Sequence, residues 1–152
     1  MKNVLLFAFF LCSSLLLAQS SVLIPPENVT IAFKKQYPKK VASWSVEYDK
    51  SDDIKFEAEF NVASNIKAFA LYWSDGVFIS YKVQIPKTKL PLKAQNYLAK
   101  NYAVKTIIQN YLVLNDKNEE TFETGIKISK QLYKVVFNKE GEGIAKIRVK
   151  FI

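Results

Sequence analysis

Hydrophobic and polar positions recur along this chain with two periods. Val29, Ala32, Phe33 and Tyr37 stand at helical spacing, with Lys34, Lys35 and Gln36 between them. That pattern predicts an amphipathic helix. Pro25 and Pro26 precede it, where the first amides lack partners in any case, and Pro38 stops it. The period then drops to two. Trp44, Val46 and Tyr48 alternate with Ser45 and Glu47, and Ile54, Phe56, Ala58, Phe60 and Val62 alternate with Lys55, Glu57, Glu59 and Asn61. Both runs predict half-buried strands. KAFALYW and VFISYKVQI predict two more, joined by Ser74-Asp75-Gly76, where Gly76 can take a positive φ.

From Leu90 the same order returns. Leu90, Ala94, Leu98 and Tyr102 anchor a second Pro-initiated helix. TIIQNYLVLN, a stretch lined by Phe122, Ile126 and Ile128, then LYKVVFN and IAKIRVKF read as strands, with a turn at Lys139-Glu140-Gly141. Pro25 and Pro91, Phe56 and Phe122, Phe60 and Ile126, and Val62 and Ile128 all stand 66 apart. The near-constant offset and short connections predict an α+β fold made as a tandem repeat of two units, residues 24–85 and 86–152. Each unit is one N-terminal helix packed on a four-stranded antiparallel sheet, and the two together form one compact domain.

Residues 1–18 stand outside this pattern. Lys2, the apolar run from Val4 to Leu17 and the small residue Ala18 predict a cleaved signal peptide, since the run is short for a membrane span. The expected product is exported, periplasmic or secreted. Cleavage removes Cys12, the single cysteine of the 152 residues, so no disulfide supports the remainder.

Composition narrows the chemistry further. There is no His, which excludes His-based triads, His metal sites and imidazole pH switches. Only four Gly occur, with no phosphate-cradling loop. Ser64-Asn65-Ile66-Lys67 matches Ser-x-x-Lys but falls in a hairpin turn without the partner motifs of a penicillin-binding site. Asp49, Asp52 and Asp53 lack the glycine and closing Glu of a calcium loop. Glu57 and Glu59 share one strand face and read as an exposed face rather than an acid/base pair. The chain therefore reads as non-enzymatic, without cofactor or metal, and without a nucleic-acid motif. The net charge of +8 is lopsided: residues 24–85 carry eight basic and eight acidic residues, residues 86–152 thirteen and six.

Several of these residues resemble a known family. Trp44-x-Val46-x-Tyr48, the Phe56-x-Ala58-x-Phe60 strand and Tyr72 with the Asp75-Gly76 turn are similar to exported beta-lactamase-inhibitor-like, PepSY-like proteins. Phe122, Ile126, Tyr133, Phe137 and Gly141 continue the likeness to the second half. The resemblance implies a fold like that of the secreted beta-lactamase inhibitor protein, export, and binding of a protein through an open sheet face. It carries no contact residue across.

Strand phase supplies candidates for that face. With Ala145, Ile147 and Val149 facing the core, Lys146, Arg148 and Lys150 form a basic stripe on the other side. The same phase puts Phe69, Leu71, Trp73 and Phe78 on the open face of the first sheet, as an aromatic anchor. The expected function is a binding protein engaging a protein partner, an exported hydrolase being one version. The alternative is a cell-envelope structural protein contacting anionic lipid or polysaccharide through its basic second unit.

Overall fold

A computed structural model describes residues 23–48 and 53–149. Residues 1–18, expected as a signal peptide, residues 49–52 and Lys150 lie outside the described residues. Helix α1 (Glu27–Gln36) precedes strands β1 (Ser43–Tyr48), β2 (Ile54–Ala63), β3 (Ile66–Trp73) and β4 (Phe78–Ile85). A short 3-10 turn, Lys87–Lys89, leads into α2 (Leu92–Asn101), and a second, Val104–Thr106, leads out of it. Strands β5 (Ile107–Asn115), β6 (Glu120–Ile128), β7 (Gln131–Phe137) and β8 (Gly143–Arg148) follow.

The expected fold class, a tandem repeat of helix-plus-four-strand units, is overturned. All eight strands form one antiparallel sheet in sequence order, with two ten-residue helices packed on it. The decisive contact is β4 against β5, paired from Ser80↔Asn115 to Ile85↔Asn110. Two separate sheets would leave these strands as edges with unpaired amides and carbonyls; pairing removes both edges. Sequence offset is blind to this, because it compares stretches of chain and carries no information on which strands hydrogen-bond.

The pairing register puts both helices on one face. Phe56, Ala58 and Phe60 oppose Tyr72, Ala70 and Ala68, and the same side continues through Tyr81 and Val83 to Leu114 and Leu112, then to Phe122 and Phe137. Under α1, Val29 and Phe33 are buried against this surface; under α2, Leu90, Ala94 and Leu98 are. Phe33 meets the rings of Tyr37, Trp44 and Phe60 at 5.4, 5.4 and 5.2 Å. These tilted and edge-on contacts suit the aromatic quadrupole and lock α1 to β1 and β2.

Each helix start is clamped by a glycine turn. Gly76 has φ +89°, and a Cβ there would lie 2.7 Å from the carbonyl oxygen of Asn28. Gly141 has φ +84°, and a Cβ there would lie 2.9 Å from the backbone nitrogen of Ala94. Both turns thus need glycine twice over, for backbone angle and for approach. Gly76→Ala and Gly141→Ala should each lower stability by about 2 kcal/mol or more. Gly125→Ala, whose Cβ would meet nothing nearer than 3.8 Å, should stay within about 0.5–1 kcal/mol; urea unfolding compares the three.

Tyrosines seal the α1 core. The Tyr72 hydroxyl donates to Gln36 Oε1 at 2.9 Å, and the Tyr37 ring stacks on Tyr81 at 6.0 Å. Burial, and then the neighbouring Tyr81, pushes the Tyr37 phenol up to about 12. Burial raises Tyr72 as well. A raised phenol pKa favours the neutral form in the native state. Its stabilisation is complete below the unfolded value of about 10 and is lost as pH rises through the folded value. Alkaline unfolding should therefore set in between about pH 10 and pH 12, with the 295 nm ionisation of these two tyrosines coinciding with loss of near-UV circular dichroism.

Candidate binding face

The side of the sheet away from the helices carries no packed element among the described residues. Its side chains follow from the period-two alternation that buries Phe56, Ala58 and Phe60 on the other side. Strand β2 contributes Lys55, Glu57 and Glu59 to the open face. Strand β3 contributes Lys67, Phe69, Leu71 and Trp73, and β4 contributes Lys82. Tyr111, Glu123, Gly125 and Lys134 come from β5, β6 and β7.

These residues neutralise one another in cross-strand pairs. Lys82 Nζ donates to Glu57 Oε2 at 3.2 Å, Lys134 pairs with Glu123 at 2.8 Å, and Lys67 pairs with Glu59. Lys82 also lies 4.5 Å over the Phe69 ring and 5.3 Å from that of Tyr111, while Phe69 meets Tyr111 edge-on at 5.8 Å. Lys55 sits 4.5 Å over the Trp73 ring. The aromatics are thus half-buried, each carrying a cation on its face.

Burial raises the Glu57 carboxyl above its ordinary range; Lys82 opposes that shift, and Glu47 and Glu59 add to it. Burial also raises the Tyr111 phenol, helped by Glu57, Glu59 and Glu123. With Glu57 and Glu59 each engaged by a lysine, the pair is a scaffold of charge and not a free acid/base couple.

A cavity of about 270 Å³ opens on this face. Tyr111, Gly125, Leu132 and Ile108 line it, with Glu47, Lys82, Glu123 and Lys134 supplying charge. Glu47 belongs to β1 and Leu132 to β7. In a flat sheet six strand steps would separate them by roughly 29 Å. The sheet is therefore strongly curled, and the open face is its concave side.

Sequence phase and structure part company at two bulges. An irregularity between Leu71 and Tyr72 pairs Tyr72 with Phe78 and Leu71 with Ser80. The extra residue returns Phe78 to the helix face, where its ring lies 5.7 Å from Tyr72 and packs into the α1 core. A second irregularity, between Val136 and Phe137, pairs Val136 with Ala145 and Val135 with Lys146. One inserted residue reverses the facing of the strand beyond it. Lys146 and Arg148 therefore lie on the helix side, opposite Val135 and Tyr133, while Ile147 is 47% exposed and not core. Lys150 is outside the described residues.

Of the seven candidates, then, Phe69, Leu71 and Trp73 stand together on the concave face, and Lys146 and Arg148 are on the other side, five strands away. Tyr111, Lys82, Glu123 and Gly125 belong to the concave face and went unrecognised in the sequence; Lys134 joins them there. Lys82 and Tyr111 come together only through the β4–β5 pairing, for which local pattern holds no signal; Lys134 was legible as the opposite phase to Tyr133.

Among the described residues, no helix is long and apolar enough to cross a membrane. No family model and no curated protein matches the sequence. Solved structures do match. A proposed periplasmic protein of Bacteroides eggerthii superposes with TM-score 0.65 at 17% identity, over 84% of this chain and 91% of that one. A DUF2874 family protein of Bacteroides ovatus gives 0.62 at 18%, over 84% and 89%. A BLIP-like protein from Bacteroides fragilis gives 0.57 at 12%, over 88% and 92%. The fold is BLIP-like. At these identities it is the backbone path that is shared. None of the three is described as PepSY-like, so that part of the resemblance finds no counterpart.

The Lys82–Glu57 pair can be tested directly. Lys82→Met leaves a half-buried carboxylate without its cation and raises the Glu57 pKa further. A raised carboxyl pKa contributes stability that is present at low pH and lost as pH rises through it. The variant should lose about 2 kcal/mol at pH 7 and clearly less at pH 4, read by chemical denaturation at both values.

Proposed function

We propose that this is an exported, non-enzymatic protein that engages a protein partner through the concave face of its sheet. One observation carries the reading: an entire curled sheet face is left uncovered among the described residues, with Phe69, Leu71 and Trp73 at one place on it and a cavity beside them. Aromatic and aliphatic side chains on an uncovered concave surface provide anchoring area for a partner, and the paired charges around them provide selectivity. The absence of His and the position of Cys12 within the signal segment favour binding over catalysis. The periplasmic description of a structural neighbour and the signal-like residues 1–18 favour export. The BLIP-like neighbour makes an exported hydrolase the first partner to try.

The test is affinity capture from the cell envelope, with a hydrolase panel assayed for inhibition in parallel. Trp73→Ala should weaken the captured interaction at least tenfold, as a central aromatic anchor does, with unchanged thermal unfolding. Ile31→Ser, on the outer side of α1 away from the sheet, should leave it intact. Equal capture by both variants would sink the concave-face reading.

A further inference from the structure

Charge is distributed unequally between the two sides of the sheet. On the concave face Lys67, Lys82 and Lys134 each hold a glutamate. Around α2 the opposite holds. Lys89, Lys100 and Lys105 on the helix and its flanking turns form no ion pair among the described residues, and neither do Lys146 and Arg148 on β8; only Lys93 pairs, with Glu142 at 2.9 Å. The register that brings β8 round to this side also places Lys146 beside the end of α2, its ammonium 5.4 Å from the Tyr102 ring and 4.8 Å from that of Tyr133. Lys146 lines an open cleft there with Tyr102, Ala103, Thr106 and Ile128. The basic residues of helix, turn and edge strand are therefore one surface.

Apolar side chains stand among them. Leu92 and Val104, at the two ends of α2, are 71% and 78% exposed. Neither contributes to the core under α2. Helical geometry explains Leu92: Ala94 and Leu98 point inward, which turns Leu92, Asn96 and Lys100 outward. Lysines ringing exposed aliphatic side chains match an anionic lipid surface, whose headgroups take the charge and whose acyl boundary takes the aliphatics. A soluble polyanion would use the lysines and gain nothing from Leu92 or Val104.

We propose that the α2–β8 side docks on an anionic phospholipid bilayer. The concave face then points away from the lipid, free for a partner, and the two surfaces act independently. The proposal goes beyond the concave-face reading and does not need it.

The experiment is sedimentation with vesicles. The chain from Gln19 onward contains every described residue and excludes the apolar leader. It should sediment with phosphatidylcholine vesicles containing a minority of phosphatidylglycerol, not with phosphatidylcholine alone, and less as salt rises. Each lysine near such a surface strengthens partition about fivefold. The triple variant Lys100→Gln, Lys105→Gln, Lys146→Gln should therefore bind roughly a hundredfold more weakly, with its circular dichroism melt unchanged. Leu92→Ser with Val104→Ser should also weaken binding, and Trp73→Ala should not. Absence of phosphatidylglycerol-dependent sedimentation, or full binding by the triple variant, overturns the proposal. So does tight binding to dextran sulfate with vesicle binding indifferent to Leu92 and Val104, which would assign the surface to a polyanion. Loss of partner capture in Trp73→Ala with vesicle binding retained would leave both surfaces standing; the reverse pattern would remove only this one.

Discussion

Hydrogen bonding between β4 and β5 is the contact on which the rest of the molecule depends. Ser80 to Ile85 pair with Asn115 to Asn110, and the connection between the strands runs through a 3-10 turn and the whole of α2. Without that ladder the chain would present two short sheets, each with an additional bare edge. With it, the apolar row Tyr81–Leu114 and Val83–Leu112 runs unbroken between the cores under α1 and α2. Both helices are thereby committed to one side, and the other side becomes continuous from β1 to β8.

Continuity across eight strands lets twist and curl accumulate until Glu47 and Leu132 line one cavity. A concave surface made this way has a cost. Its residues are partly withdrawn from water on both flanks, as the raised carboxyl of Glu57 records. Cross-strand lysines answer that cost: Lys82 serves Glu57 and covers Phe69 and Tyr111 together. Lysines around α2 face solvent, need no such partner, and keep their charge available. The two sides of the same sheet thus differ in electrostatics because they differ in curvature and in cover.

Much of the local structure was legible in the chain. Phe56-x-Ala58-x-Phe60 is strictly alternating, and its three apolar residues are buried. Gly76 and Gly141 occupy turns whose backbone angles demand glycine. Phe69, Leu71 and Trp73 stand on β3, whose burial alternates without interruption from Ala68 to Trp73, so their phase could be read. Phe78, Lys146 and Arg148 lie beyond a bulge, where one extra residue inverts every assignment that follows. No composition marks Ile79 or Ile144 as the inserted residue.

Sequence by itself determined the periods of helix and strand, the turns, the absence of imidazole chemistry and the excess of basic residues after residue 86. These are local properties, set by side-chain alternation, backbone angle and composition. Tertiary structure alone decided that the strands form one sheet, that the sheet is curled, and which of its two faces each basic residue joins. Those outcomes depend on pairing between strands distant in sequence and on register shifts of a single residue. Both are settled by edge satisfaction and packing across the whole sheet, so no local stretch of chain encodes them.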